Sequence, residues 1–253
     1  MSEIYRTVMT TDAIPAVSPY ARATQEFVFE RVWARPGLSV RDRRLVTLSC
    51  VCAADATSAI DAHFFAALAS GDLTLEELLE FVLHFAVYCG WPKGSVAQMS
   101  LAGAWVRMHE ERGEEPPPWP ELPASELGPD DAGTRLRGGE QHFLAVNFVP
   151  APARDTPYFQ AGILNFVFGH VWQRPRLSQR DRRLVTLPCV GASDAIGPIW
   201  SHVGSALQSG DISYEEMQEI ILHFSAYCGF AKGEVMEDVA TQSWARLQGE
   251  SGA

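Results

Sequence analysis

Arg41-Asp42-Arg43-Arg44-Leu45-Val46-Thr47-Leu48 returns intact as Arg180-Asp181-Arg182-Arg183-Leu184-Val185-Thr186-Leu187. The offset is 180 − 41 = 139. At that offset Trp33, Pro36, Cys50, His63, His84, Tyr88 and Trp105 meet Trp172, Pro175, Cys189, His202, His223, Tyr227 and Trp244. One unit is written twice within 253 residues. The period is too long for a solenoid and reads as a tandem domain duplication. The expected organisation is a first unit over residues 1–110, a proline- and acid-rich linker over 111–140, and a second unit over 141–253.

Outward from the block, the pattern is helical. Phe27, Val28, Val32 and Trp33 recur at helical spacing within residues 17–34, and Pro36-Gly37 breaks that helix. Ser39 is placed to cap a helix from about Val40 to Ala54. A shorter helix from Ser58 to Ala69 follows. Thr74-Leu75-Glu76-Glu77 and Ser213-Tyr214-Glu215-Glu216 are capping boxes that open helices ending at Cys89 and Cys228. Gly90 and Gly229 sit where left-handed C-terminal caps are expected. A last helix spans about Gly94 to Glu110. No stretch alternates as a strand does, so the fold class is all-α.

The formal charge of −11 argues against nucleic acid as a partner, because phosphate binding needs concentrated positive charge. The basic blocks each contain an acid and read as solvated helix faces or intersubunit salt bridges. No segment is apolar over the roughly 20 residues a membrane helix needs. The N-terminus has no signal-peptide pattern, so a cytoplasmic protein is expected. The five cysteines lie in apolar sequence without CxxC spacing and read as buried small hydrophobes. No metal and no cofactor is expected.

The chemistry is expected on the helix Leu75–Cys89, which is apolar all round. His84 and Tyr88 lie four apart on one of its faces, and His223 and Tyr227 repeat the pair. His63 and His202 lie on the shorter helices in apolar surroundings. Two histidines and a tyrosine per unit form a polar cluster suited to acid/base work, since histidine titrates near neutrality. Around His63 the chain carries Phe64 and Phe65. Around His202 it carries Trp200 and Val203. These four are the candidate substrate-binding residues, and the second unit is expected to hold the roomier pocket.

The run Trp33-x-Arg-Pro-Gly-Leu38, Arg41-x-x-Arg-Leu-Val-Thr-Leu48, His63-x-x-x-Ala-Leu68-x-x-Gly71 and Leu83-His84-Phe85-Ala86-Val87-Tyr88-Cys89-Gly90 resembles carboxymuconolactone decarboxylase-like proteins of the AhpD-like superfamily. The resemblance covers about 80 residues in each half. It implies an AhpD-like helical fold and a homo-oligomer, a trimer of doubled units resembling a hexamer. It also implies a cofactor-independent lyase or isomerase acting on a small-molecule lactone, carbonyl or carboxylic acid. In that reading His202, His223 and Tyr227 act in the second unit, and His63, His84 and Tyr88 in the first. Two departures stand out. The peroxidase branch uses a CxxC pair that this chain lacks. The decarboxylase pattern places a glutamate four residues before the histidine, where this chain has Ala59 and Pro198. A non-catalytic binding or scaffold protein of the same fold is the alternative.

Overall fold

A computed structural model describes residues 3–13, 15–123, 126–129 and 131–250. The first half carries α1 (Glu3–Met9), α2 (Pro19–Ala23), a π-helical segment Thr24–Trp33, α3 (Val40–Ala53), α4 (Thr57–Ser70), α5 (Leu75–Cys89) and α6 (Trp91–Arg112). The second carries α7 (Ala132–Asn147), a π-helical segment Tyr158–Val167, a 3-10 turn Val171–Gln173, α8 (Gln179–Ala192), α9 (Ile196–Ser209), α10 (Tyr214–Cys228) and α11 (Phe230–Glu250). There is no strand among the described residues. No described helix is long and apolar enough to cross a membrane.

The local signals act as the sequence requires. Ser39 accepts from the Asp42 amide, and Thr74–Glu77 and Ser213–Glu216 form complete capping boxes. Gly90 and Gly229 have φ of 91° and 99° but ψ of 153° and 142°, so they are not compact left-handed caps. The next helix begins at once, and each glycine turns the chain between two helices in a region closed to residues with a Cβ. Residues 132–140, expected in the linker, are the first turns of α7.

The halves share one hydrophobic core. α4 packs on α6 and α9 on α11, each within its own half. α3 lies against α8, while α5 packs on α8 and α10 on α3, across the halves. The repeated basic block forms the first turns of α3 and α8 and is therefore internal. Arg43, Arg44, Arg182 and Arg183 are buried, which corrects the reading of a solvated face. Arg41 bonds Asp181 at 2.5 Å and Glu77 at 2.6 Å, and Arg180 bonds Asp42 at 2.9 Å and Glu216 at 2.7 Å. Arg174 clamps the buried Glu80, and Arg35 clamps Glu219, again across the halves. The thiols of Cys89 and Cys189, and of Cys50 and Cys228, also meet across this seam, and all five cysteines are free.

The two clamps are unequal. Among the described residues Glu80 takes hydrogen bonds from Arg174 alone, whereas Glu219 also receives Arg43 at 2.8 Å. Removing one partner of a buried pair costs about 3–5 kcal/mol, but an exposed pair is worth about 1 kcal/mol or less. Arg174→Ala is therefore expected to destabilise far more than Arg35→Ala in urea denaturation. Equal losses would contradict the pairing.

Candidate functional site

Each cluster draws its members from both halves. In one, α8 supplies Arg182, Arg183 and Thr186, the 3-10 turn supplies Trp172 and α9 supplies His202. α5 of the first half supplies His84 and Tyr88. In the other, α3 gives Arg43, Arg44 and Thr47, the π segment gives Trp33 and α4 gives His63, while α10 gives His223 and Tyr227. The grouping expected from the sequence, with His202 beside His223 and Tyr227 in one unit, is thus not the one formed. The reason is that α5 and α10 each turn their His–Tyr face toward the opposite half.

The geometry around His84 fixes a direction for each hydrogen bond. Arg182 Nη1 lies 3.2 Å from His84 Nδ1, and an arginine can only donate. Nδ1 therefore accepts, Nε2 carries the proton, and Nε2 donates to Thr186 Oγ1 at 2.9 Å. The Thr186 hydroxyl faces the Tyr88 phenol, whose oxygen accepts from Trp172 Nε1 at 3.0 Å. With Trp172 donating to its oxygen, Tyr88 keeps its own hydrogen for another acceptor. The His202 ring stands edge-on to it at 5.3 Å and stacks parallel to Trp172 at 6.3 Å.

The second cluster repeats this scheme. Arg43 Nη1 lies 3.4 Å from His223 Nδ1, Thr47 Oγ1 is 2.6 Å from His223 Nε2, and Trp33 Nε1 donates to Tyr227 at 2.8 Å. Trp33 and Trp172 thus hold the tyrosines.

Burial leaves the imidazoles uncharged. Desolvation, then the nearby Arg44 and Arg183, lowers His63 and His202 to about 3. Burial, then Arg182 and Arg43, pushes His84 and His223 well below their ordinary value. Burial raises the Tyr88 phenol and pushes Tyr227 up to about 12. These histidines are neutral near pH 7, which corrects the expectation of titration near neutrality.

The surroundings separate the clusters. His202 and Tyr88 open onto a cavity of ≈ 610 Å³ whose walls include Phe143, Pro150, Phe159, Ile163 and Phe168. Asn147 and Ser201 complete its polar floor, 3.4 Å apart. His63 is buried, with Nδ1 lacking a hydrogen-bond partner. The register of the repeat explains the contrast. Upstream of the π segments it slips by one residue: Ser18-Pro19-Tyr20 meets Thr156-Pro157-Tyr158, and Thr10 meets Phe148, both at φ 57° (148 − 10 = 138). Met9 thereby takes the place of Asn147, and Ala62 that of Ser201. Val8, Phe29 and Trp33 pack together there with Tyr5 and Met9.

The four candidate substrate-binding residues lie elsewhere. Phe64 packs on Phe81, Phe65 lies under Arg107, Trp200 under Arg246, and Val203 is in the core. A helix presents only one face to the cavity. His202 uses it together with Pro198 and Ser201, and Trp200 and Val203 point away. Asp55 and Asp194, the shared acids, pair with Lys93 and Lys232. Sequence reasoning missed Asn147 and the wall residues, of which Asn147, Phe143 and Pro150 fall at the slipped register. Among the described residues no three His, Cys, Asp or Glu side chains converge as a metal site.

Residues 18–102 match the carboxymuconolactone decarboxylase family, across the π segment, α3, α4, α5 and part of α6. The similarity to this family rests on that segment. A nitrosuccinic acid decarboxylase of Metarhizium robertsii is 38% identical over 85 residues, 32% of this chain and 59% of that protein. A 4-carboxymuconolactone decarboxylase of Acinetobacter baylyi is 35% identical over 71 residues, 28% of this chain and 52% of that protein. The chain thus covers between about half and three fifths of these carboxymuconolactone decarboxylase-family relatives.

The neutral histidines set a pH dependence. In the unfolded chain they take up protons below about 6.5. In the folded chain they do not, so stability is full above that value and falls as pH drops toward the folded values. Each fully buried histidine costs about 1.4 kcal/mol per pH unit in that window. For the four together, urea denaturation is expected to show a stability lower by roughly 5 kcal/mol at pH 5.5 than at pH 7.5. A flat profile would show that His84 and His223 are protonated or exposed.

Proposed function

We propose that the chain is a decarboxylase-like lyase working at the cavity between His202 and Tyr88. The observation that carries this reading is a phenol whose oxygen already accepts from Trp172, beside a neutral imidazole, on the lining of a cavity. The family relatives, named as decarboxylases, support the reaction class.

The residues suit a β-oxo or similarly activated acid. An incoming acid passes its proton to His202, because a carboxylate beside the ring raises the imidazole pKa. The C–CO2 bond breaks, CO2 leaves, and the electron pair moves onto the activating oxygen. Tyr88 donates its hydrogen bond to that oxygen, where charge develops. The imidazolium then returns its proton to carbon, so the acid becomes CO2 and the protonated product, with His202 neutral again. Arg182, His84 and Thr186 act through Tyr88 by holding its hydrogen toward the substrate. No glutamate is needed for this proton balance, which accommodates Ala59 and Pro198.

The burial of His63, with Met9 and Ala62 where the other copy has Asn147 and Ser201, favours a structural role for that copy. CO2 release from a panel of β-oxo acids tests both statements. Removing an oxyanion donor typically costs about 10²–10³ in kcat, so Tyr88→Phe is expected to lose on that order. His202→Ala is expected to lose about 10²–10⁴. Tyr227→Phe and His63→Ala should change turnover less than twofold (roughly, against losses of this size). Equal losses at the two clusters would defeat the assignment of one working site, and no CO2 across the panel would defeat the decarboxylase reading.

For the assembly we propose a homotrimer. The exposed Met99, Val106, Phe230 and Val235 on α6 and α11 give it apolar surface to cover. Light scattering should report three chains, and a monomer would contradict it.

A further inference from the structure

The ≈ 610 Å³ cavity falls in the range of about 300–1,000 Å³ that holds drug-sized ligands. Its lining contains no Lys, Arg, Asp or Glu. Four of its polar residues, Tyr88, Asn147, Ser201 and His202, are neighbours, the other hydroxyl is that of the exposed Tyr158, and the remaining walls are aromatic, aliphatic, glycine or proline.

The nearest cations are already committed. Arg183 bonds Asp211, Ser205 Oγ and the Val146 carbonyl. Arg182 holds His84 and the Arg174 carbonyl, and Arg174 clamps Glu80. None can turn toward a ligand without leaving a buried acid or carbonyl unpaired. One carboxylate can be matched by a proton on His202. A second finds no cation on the walls: it either stays in solvent at the mouth beside the exposed Tyr158, holding the body out of the cavity, or lies unpaired against apolar side chains, which costs several kcal/mol.

We propose that this cavity selects a ligand with a single polar head, a ketone, lactone or monocarboxylic acid, on an aromatic or alicyclic body, and rejects dicarboxylates. The substrate class rests on the proposed decarboxylase reading, whereas the binding preference follows from the lining. One relative's name denotes an acid built on succinic acid, a dicarboxylic acid. On this inference the present chain takes a more apolar molecule.

Gly162 and Gly197 line the cavity, and a Cβ at either would meet nothing within 4 Å. Gly162→Phe therefore plugs the space without strain, and Gly197→Leu is a second, smaller plug. Isothermal titration of the full chain with 2-acetylnaphthalene, 2-naphthoate, 2,6-naphthalenedicarboxylate and succinate provides the test, with circular dichroism confirming that each variant is folded. Both one-headed probes should bind at least about tenfold more tightly than either dicarboxylate, matching a cost of about 1.4 kcal/mol or more. Both plugs should weaken them by at least a similar factor. The inference is overturned if a dicarboxylate binds as well as 2-naphthoate, if neither naphthalene probe binds, or if their binding survives both plugs. Binding is read without turnover. Tight one-headed binding with no CO2 release from any β-oxo acid would therefore remove the lyase reading and leave the preference standing.

Discussion

Arg43 and Arg182, buried at the seam between two halves of one chain, are the constraint on which this structure depends. A guanidinium out of water must find acceptors; Arg44 and Arg183 find theirs within their own halves, whereas these two reach across. Arg43 finds Glu219 and His223, and Arg182 finds His84, all on the opposite side of the seam. α3 and α8 therefore cannot part, and α5 and α10 must turn their His–Tyr faces outward from their own halves. The same contacts that hold the halves together set the histidine tautomers, which in turn direct the threonine and tyrosine hydroxyls.

The near-symmetry of this seam makes the departures from it informative. Both clusters carry the same arginine, histidine, threonine, tyrosine and tryptophan. They differ at the periphery. Asn147 and Ser201 face one histidine, where Met9 and Ala62 stand near the other. Polar groups on a cavity floor can fix a ligand's orientation, whereas methionine and alanine fill space. Two identical centres thus receive different surroundings from segments in which the repeat has drifted by one residue.

The helices were legible because their signals are local. The capping boxes at Thr74 and Ser213 and the breaks at Pro36 and Gly90 mark element ends directly. The buried arginines were not legible, since a run such as Arg-Asp-Arg-Arg resembles a solvated surface until its acceptors are known, and those of Arg43 and Arg182 lie partly in the other copy. The histidines and tyrosines could be picked out as polar groups on apolar helices. Their grouping could not, because spacing within a helix does not say which half it faces. The Ser-Pro-Tyr and Thr-Pro-Tyr triplets were the available signal for the slipped register, and with it for Asn147.

The central claim is that each half's arginine governs the other half's histidine. Imidazole 15N NMR of the full chain near pH 7, compared with Arg182→Met, tests it most directly. The account predicts neutral, Nε2-protonated rings for His84 and His223, and a shift on substitution confined to His84, 98 positions away across the seam. A shift at His223 with His84 unmoved, or protonated rings at that pH, would contradict it.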